Sequence, residues 1–355
     1  MKRLFVSFAV VAASVCQAFG QIQYIPAKLP FDGNLYGVLQ TKLSDDNLKG
    51  NVLAVAYTAS EYKENFGEPT EGQVWERMTT FYDEAGTSFL SRKNDGSSAG
   101  ESYLFSKEAV ENGVKVTSIG VKSSFTGEDV NLMNAAMSKP DWSFEQMLQG
   151  SNWRYECENY EAVYDKNGVR IKLDLKDTSK EKKIKSRELG KQTGNNVYEF
   201  VIYNARGESV ETSTRTYSNG RLIKKSSPQD RFSRVNADIQ SPMSGTYTYN
   251  QAGRPVNFKK FNNQEEEKYV YNAKGDLLNT STKKYSGWDD GNFYENYKYD
   301  EQGNWIYRTW AREKGKPFRI EKRVIVYCST KEELKEKAAE ISQKAGDIIR
   351  NFKVE

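Results

Sequence analysis

Aromatic and polar residues alternate through much of the chain, with the two-residue period of a β-strand. The clearest examples are the pairs Tyr247 and Tyr249, Tyr269 and Tyr271, and Tyr297 and Tyr299. Each pair places its two rings on one face of an extended segment, because successive side chains in a strand point to opposite sides. The pattern therefore predicts strands with one aromatic face, separated by short polar connections.

A five-residue motif follows many of these segments: an aromatic residue, Asp or Asn, two variable residues, and glycine. The glycines of its six copies are Gly86, Gly168, Gly207, Gly253, Gly275 and Gly303. Asp or Asn at the first turn position can accept a hydrogen bond from a backbone N–H two residues further on. Glycine at the fourth position can adopt a positive φ without a Cβ clash, which lets the chain rejoin the ladder as a bulge. Each copy therefore predicts the turn of a β-hairpin.

Consecutive hairpins at this spacing favour an antiparallel meander. Residues 128–149, approximately, carry apolar residues at helical spacing and predict a small helical insertion. From residue 329, Thr330 and Glu333 fit a capping box ahead of an amphipathic helix. The predicted fold class is mainly all-β: a large twisted antiparallel sheet of repeated β-hairpins, with that helical insertion and a C-terminal amphipathic helix.

The first twenty residues have the pattern of a secretory signal peptide, with a basic start, an apolar run and small residues at Ala18 and Gly20. We predict a signal peptide at 1–20, an N-terminal β region with the helical insertion at 21–150, a hairpin repeat region at 151–328, and the C-terminal helix at 329–355. No other apolar run approaches the ~20 residues that a membrane helix needs. The product is expected to be exported, and to be periplasmic, on the cell surface or secreted.

One segment suggests a family. The run Tyr297-Lys298-Tyr299-Asp300-Glu301-Gln302-Gly303-Asn304-Trp305 resembles the YD-repeat unit of Rhs-type proteins. The chain as a whole is similar to the exported YD-repeat-like proteins of Bacteroidetes. This resemblance implies a β-sheet scaffold with no assigned activity, and it covers recognisable units from about residue 48 to residue 328.

The composition narrows the chemistry. The chain contains no histidine, which excludes Ser-His-Asp and Cys-His catalysis and every zinc site that uses histidine. Phosphate-binding and dinucleotide-binding loops are also missing from the sequence. We predict no catalytic residues, no metal and no cofactor. An enzyme built from this chain would have to use a pair of carboxylates, so a carboxylate-dependent glycoside hydrolase remains an open alternative.

The expected function is a non-catalytic scaffold or binding protein of the bacterial envelope, with an unknown protein or glycan as its partner. A glycan-binding protein is the first alternative, because exposed Trp and Tyr rings can present an apolar face and a polar edge to a ligand. The densest group of such residues is Trp288, Tyr294, Trp305, Tyr307 and Trp310. These five are the candidate ligand-binding residues.

Charge and cysteine content add two expectations. Removal of Lys2 and Arg3 with the leader lowers the formal net charge from +4 to +2, so the mature chain has little electrostatic attraction for nucleic acid, and no nucleic-acid partner is expected. Export permits a disulfide between Cys157 and Cys328. The other interpretation is that the two cysteines are buried as separate free thiols, because sequence spacing does not reveal the distance between them.

Overall fold

The computed structural model describes residues 41–94, 99–124, 152–156, 159–177, 181–228, 239, 242–261, 265–284 and 287–351. In this part of the chain there are nineteen strands and one helix. The first ten strands are β1 (Val52–Asn65), β2 (Glu68–Tyr82), β3 (Ser88–Asn94), β4 (Ala99–Val110), β5 (Gly113–Ser124), β6 (Asn152–Glu156), β7 (Asn159–Asp165), β8 (Arg170–Lys176), β9 (Ile184–Gly194) and β10 (Val197–Tyr203). The others are β11 (Ser209–Ser218), β12 (Arg221–Ser226), β13 (Gly245–Tyr249), β14 (Pro255–Lys260), β15 (Glu266–Tyr271), β16 (Leu277–Lys284), β17 (Gly287–Tyr299), β18 (Trp305–Glu313) and β19 (Lys316–Tyr327), followed by helix α1 (Lys331–Asn351).

The strands form one antiparallel sheet that closes on itself. Apart from β6 and β7, each strand pairs with the next along the chain, and β1 pairs with β19 as well as with β2. Strands β6 and β7 both pair with β5, at its two ends, and so share one position. The result is a closed barrel of 18 strand positions.

The expectation of a mainly all-β antiparallel fold with a C-terminal helix is confirmed, but the open twisted sheet is wrong. The closing seam runs from the pair Val52 and Tyr327 to the pair Glu61 and Arg319. The paired residues are more than 250 positions apart along the chain. Nothing in the sequence of either strand indicates that the two strands pair. Once the first and last strands pair, neither presents the free hydrogen-bonding edge of an open sheet.

The six predicted turns are confirmed as hairpin turns. The six motif glycines have φ between 68° and 89°, which is the left-handed region. Each of these glycines donates its N–H to the carbonyl of the Asp or Asn three residues earlier. In the turn at 83–86, Asp83 Oδ1 also accepts hydrogen bonds from the N–H groups of Ala85 and Thr87, at 3.0 and 2.8 Å. The motif therefore encodes a type I turn with a glycine bulge, as its residue types require.

Five of these turns lie at one end of the barrel. Because successive strands reverse direction, the turns after β2, β7, β13, β15 and β17 fall on the same rim, and the turn after β10 falls on the opposite one. We call the first end the turn rim. The segment 41–50, ahead of β1, lies against this rim and is described with the candidate site below.

The inner face of the barrel carries the aromatic residues. In β10, the buried residues Tyr198, Phe200 and Ile202 alternate with more exposed neighbours. The hydrophobic clusters of this face also contain Tyr103, Tyr160, Tyr217, Tyr247 and Phe258. Ile239, from the connection between β12 and β13, is fully buried in one of these clusters. The aromatic stripes recognised in the sequence thus form the packed interior.

A group of charged side chains is buried among these aromatic residues. Glu188 is 0% exposed and contacts Arg215 at 2.6 Å and Arg170 at 3.3 Å. The Arg215 guanidinium lies 3.9 Å from the centre of the Phe200 ring. Burial alone would raise the pKa of Glu188, but the two guanidiniums outweigh it and lower the pKa to about 2. The carboxylate is therefore held ionised inside the barrel.

Many positions of the outer face are polar. Mid-strand outward residues include Glu161, Lys172, Arg187, Thr214, Thr248, Lys268 and Ser281. Glu161 and Lys172, for example, form an ion pair at 2.9 Å on the outside of β7 and β8. Strands β12 to β15 are only five or six residues long. Leu189, Val270 and Val324 are exposed apolar residues of the same face, so the described outer face mixes polar and apolar positions.

Helix α1 packs on the outside of the barrel. Its buried residues Leu334, Ala338 and Ala345 contact an apolar patch of β1 to β3 that includes Ala54 and Phe81. The predicted capping box is confirmed, because Glu333 N–H donates to Thr330 Oγ1 at 3.1 Å and Ser329 N–H donates to Glu333 Oε2 at 2.7 Å. The predicted signal peptide at 1–20 and the helical insertion at about 128–149 lie outside the described residues.

Candidate functional site

A cavity of about 530 Å³ lies inside the barrel, next to the turn rim. Its wall comes from the inner faces of eight consecutive positions, β14 to β19 followed by β1 and β2. The side chains that line it include Tyr57, Tyr82, Tyr269, Tyr271, Tyr294, Trp305, Glu76, Asp276, Glu321, Arg254, Arg308, Arg319 and Arg323. Rings and charged groups thus converge on one cavity.

The segment 41–50 covers this cavity at the turn rim, and we call it the plug segment. At one side, Leu43 N–H donates to the carbonyl of Gly86 at 2.9 Å. At the other side, Lys49 N–H donates to Asn304 Oδ1 at 2.8 Å. Asp46 reaches inward, where its carboxylate accepts a hydrogen bond from Tyr82 at 3.4 Å and lies 3.5 Å from Arg323. The plug segment is therefore tied to separate turns and to the cavity wall.

Asn47 contacts its neighbours through both ends of its side-chain amide. Its Nδ2 donates to Asp276 Oδ1 at 2.7 Å and to the carbonyl of Lys274 at 3.1 Å. Its Oδ1 accepts a hydrogen bond from Arg254 Nη2. The backbone φ of Asn47 is 55°, a left-handed conformation that asparagine tolerates better than most residues.

An ion cluster forms the deeper part of the wall. Glu321 is 3% exposed and contacts Arg308 Nε at 2.5 Å and Arg319 Nε at 3.0 Å. Tyr57 donates its hydroxyl to Glu321 Oε1 at 2.7 Å. Burial opposes ionisation of Glu321, but the two guanidiniums prevail and lower its pKa. The cluster is charged and internally paired.

The arginines of this cluster also lie against the aromatic rings. Two guanidiniums lie close to Trp305, with Arg308 4.3 Å and Arg323 3.7 Å from a ring centre. Arg308 also lies 4.4 Å from the ring centre of Tyr294, and that ring stacks on Trp310 at 6.1 Å with a 15° angle between planes. A cation–π contact uses the flat face of the guanidinium, so it holds the arginine side chain in place and leaves its N–H groups available for hydrogen bonds.

The structure brings three of the five predicted ligand-binding residues together. Tyr294 and Trp305 line the cavity, and Trp310 lies beside them with its Nε1 donating to Asn292 Oδ1 at 2.7 Å. Tyr307 is on the outer face, opposite Lys298 and Lys322. The side chain of Trp288 lies outside the described residues. The three inner rings form part of an interior wall, since Trp305 is only 3% exposed, and their ligand-binding role stays a prediction.

The remaining predicted site residues can be located only in part. Cys328 is buried next to helix α1, whereas Cys157 lies outside the described residues, so the disulfide stays a prediction. Within the described ranges, no group of three or more His, Cys, Asp or Glu residues is placed to hold a metal ion. The same part of the chain has no helix that is long and apolar enough to cross a membrane.

Most of the polar residues of this site carry no signal in the sequence that marks them as part of a site. Arg308 and Arg319 resemble ordinary surface charges in an alternating strand, and only their pairing with Glu321 places them inside. Asp276 follows the turn glycine Gly275 and could have been suspected from that position. Nothing local marks Asn47, whose contacts to Arg254 and Asp276 span more than 200 residues.

Comparisons with known proteins give little further guidance. No family model matches the chain, and no curated protein matches it. Among solved structures, the chain is similar to a porin-like protein from Bacteroides uniformis, with 9% sequence identity and a TM-score of 0.24. That match covers 78% of this chain and 96% of the porin-like chain.

The predicted membership of the YD-repeat family is therefore wrong. No model of any family matches the chain, and the hairpins close into a single barrel. The physical reason is that the motif encodes a turn. An Asx residue followed three positions later by glycine is what any antiparallel sheet uses to build this hairpin, whatever the sheet becomes.

Proposed function

We propose that this chain is an exported, non-catalytic binding protein of the bacterial envelope, and that a glycan occupies the cavity of its barrel. The observation that carries the proposal is the cavity itself. Its volume of about 530 Å³ lies within the range of ligand pockets, and tyrosine hydroxyls, carboxylates and guanidiniums converge on it from eight strand positions.

The chemistry of the wall supports a polyhydroxylated ligand. Sugar hydroxyls both donate and accept hydrogen bonds, and the wall offers donors from Arg254 and acceptors from Asp276 near Tyr271. The wall strands pair with neighbours on both sides, so their backbone groups are used in the ladder. A ligand here would therefore be recognised through side chains.

The state of the carboxylates supports a non-catalytic role. A glycoside hydrolase needs one carboxylic acid that stays protonated until it protonates the leaving group, which requires a raised pKa. Glu321, the most buried glutamate of the cavity wall, has a lowered pKa because two arginines contact it. Such a carboxylate is suited to holding the arginines in place.

The outer surface supports a location in the aqueous part of the envelope. A barrel that spans a bilayer needs strands of roughly 9–11 residues and an apolar outer band. Strands β1, β2, β4, β5 and β17 to β19 reach that length, but β12 to β15 have only five or six residues. Lys268 and Ser281 also face outward from the middle of β15 and β16. The apolar run at the start of the sequence supports export.

Glycan titrations with a cavity-blocking variant test this proposal. The full chain is expressed with its own leader, purified without detergent and titrated calorimetrically against a panel of neutral and N-acetylated oligosaccharides. Leu277 lines the cavity, so Leu277→Trp is expected to fill part of it and weaken glycan binding at least about tenfold. Ser281→Trp, on the outer face of the same strand, is the matched control and is expected to leave the affinity unchanged.

Two results would remove the proposal. One is that no oligosaccharide of the panel binds to the folded wild-type chain. The other is that the bound glycan has the same affinity for Leu277→Trp as for Ser281→Trp, because binding would then take place elsewhere on the molecule.

A further inference from the structure

Asn47 occupies the cavity wall in the way that a bound amide would. Its carbonyl oxygen accepts a hydrogen bond from Arg254, and its amide N–H group donates to Asp276 at 2.7 Å. One cationic donor and one anionic acceptor thus contact the two ends of a single carboxamide. This arrangement is complementary to an amide and poorly suited to a carboxylate or an ammonium group, each of which would meet one like charge.

Asp276 has binding capacity that the plug segment does not use. The residue is only 4% exposed and lines the cavity. Its Oδ1 is bonded to Asn47, whereas Oδ2 is buried and makes no hydrogen bond of normal geometry among the described residues, although the Tyr299 hydroxyl is close enough to interact with the carboxylate. Burial, together with this nearby carboxylate, raises the pKa of Tyr299. Buried carboxylate oxygens are rarely left unbonded in proteins, so Oδ2 indicates a place for a further donor.

The turn that contains Gly275 positions Arg254 for this contact. The guanidinium lies against Gly275, and any side chain at position 275 would collide with it. Gly275 has a φ of 89°, so glycine is required there for the turn as well. The same glycine thus shapes the hairpin and leaves room for Arg254 beside Asp276.

We propose that Arg254 and Asp276 form an amide-recognition site whose ligand group is the acetamido substituent of an N-acetylated glycan. The acetamido carbonyl accepts a hydrogen bond from Arg254, and its N–H donates to Asp276, in the place that Asn47 fills in the closed barrel. This inference rests on the proposed function of the cavity and names the class of glycan. A peptide is the other common source of amides, but strand addition needs a free sheet edge, and the wall strands are paired on both sides.

The plug segment must move for this exchange to take place. Asn47 and the glycan compete for one pair of side chains, so the apparent affinity is reduced by the fraction of molecules whose plug segment is closed. The segment has left-handed residues at Asn47 and Gly50, with φ of 55° and 88°. Removing the Asn47 side chain should therefore strengthen ligand binding, whereas removing a residue of a purely structural site would not.

Calorimetric titration with two disaccharides tests the inference. N,N′-diacetylchitobiose carries acetamido groups, and cellobiose has the same linkage with hydroxyls in their place. Wild type is expected to prefer N,N′-diacetylchitobiose by at least about tenfold, the worth of a hydrogen bond to a charged group. Asn47→Gly, which tolerates the positive φ, is expected to bind it at least about tenfold more tightly than wild type. Asp276→Ala is expected to lose the preference, whereas Glu301→Ala, exposed on the same rim, keeps it.

Each outcome has a distinct consequence. Equal binding of the two disaccharides, or unchanged affinity in Asn47→Gly, would overturn amide recognition while leaving glycan binding in the cavity intact. Tighter binding of N-acetylasparagine amide than of N,N′-diacetylchitobiose would assign the site to a peptide amide and overturn the glycan assignment. Failure of every oligosaccharide to bind would remove the proposed function itself. If the circular dichroism spectrum of Asp276→Ala differs from that of wild type, the variant is misfolded, and the affinity of Asn47→Gly alone decides whether the amide-recognition site exists.

Discussion

Replacing Glu188 with alanine is expected to lower the free energy of unfolding by about 3–5 kcal/mol, which is typical when one partner of a buried ion pair is removed. Glu188 is 0% exposed, and its two carboxylate oxygens contact Arg215 and Arg170. Arg215 is itself 2% exposed, so the variant would leave its guanidinium without this counter-charge in the barrel interior. Urea unfolding of the two proteins at neutral pH measures the difference.

The pH dependence gives this prediction a second readout. The folded-state pKa of Glu188 is lowered to about 2, from an ordinary value of 4.5. A lowered pKa contributes stability above the unfolded value, and this stability is lost as the pH falls from about 4.5 towards 2. The difference in unfolding free energy between wild type and Glu188→Ala should therefore shrink over that range.

Glu161 provides the matched control. It is paired with Lys172 and Lys176 on the outside of the barrel, where solvent screens the charges. Glu161→Ala is expected to change the unfolding free energy by no more than about 1 kcal/mol. If Glu188→Ala and Glu161→Ala are equally mild, the assignment of Glu188 to a buried interior cluster is wrong.

Replacing Phe200 with alanine is the second change with a large expected effect, about 3–5 kcal/mol of lost stability. The ring is 1% exposed and lies 6.3 Å from Tyr198 and 6.4 Å from Tyr217, centre to centre. Its removal would leave a void among side chains that strand geometry holds in place, and would also remove the face on which Arg215 lies. Denaturant unfolding again provides the measurement.

A substitution of the next residue, Val201, tests which face of β10 points into the barrel. Val201 follows Phe200 in β10, lies between Leu189 and Thr212 on the outer face, and is only partly buried. Val201→Ala is expected to cost about 1 kcal/mol or less. A larger loss for Val201→Ala than for Phe200→Ala would mean that the inner and outer faces have been exchanged.

Local features of the fold could be predicted from the sequence because their physical causes are local. The turn at 83–86 needs only an acceptor at Asp83 and a left-handed residue at Gly86, and both lie within five positions. The capping contact of Thr330 and Glu333 is similarly contained in one helical turn. Periodicity also identified which residues share a strand face.

The same periodicity did not show which face is inside. In β11, Glu211, Ser213 and Arg215 face inward, and only their pairing with β10 reveals that they lie beside Ile202 and Phe200. Charged residues on a strand face normally predict solvent, and that expectation fails here because the charges neutralise one another inside a wide barrel. Closure of the sheet was equally inaccessible, since it depends on pairing between the first and last strands.

In the candidate site, too, local patterns identified some residues, whereas tertiary contacts determine the positions of the others. The local density of aromatic residues in the sequence identified Trp305 and Tyr294 as candidates. The guanidiniums that lie close to these rings belong to β18 and β19, and only the tertiary structure brings them there. The contact of Asn47 with Asp276 joins a segment before the first strand to the start of β16. No pattern within either segment could have predicted it.

The central claim is that the first and last strands close the barrel, and an engineered disulfide across their seam tests it most directly. Ala56 and Val324 are register partners in β1 and β19, so their Cα atoms should lie within the range that a disulfide spans. In a background of Cys157→Ser and Cys328→Ala, the pair Ala56→Cys and Val324→Cys is expected to form a disulfide in air, detected as a cross-linked peptide by mass spectrometry. The control pair Ala56→Cys and Ser281→Cys, on strands that are not neighbours, should stay reduced. Absence of the first cross-link in the folded protein, or equal cross-linking of both pairs, would contradict the closed barrel.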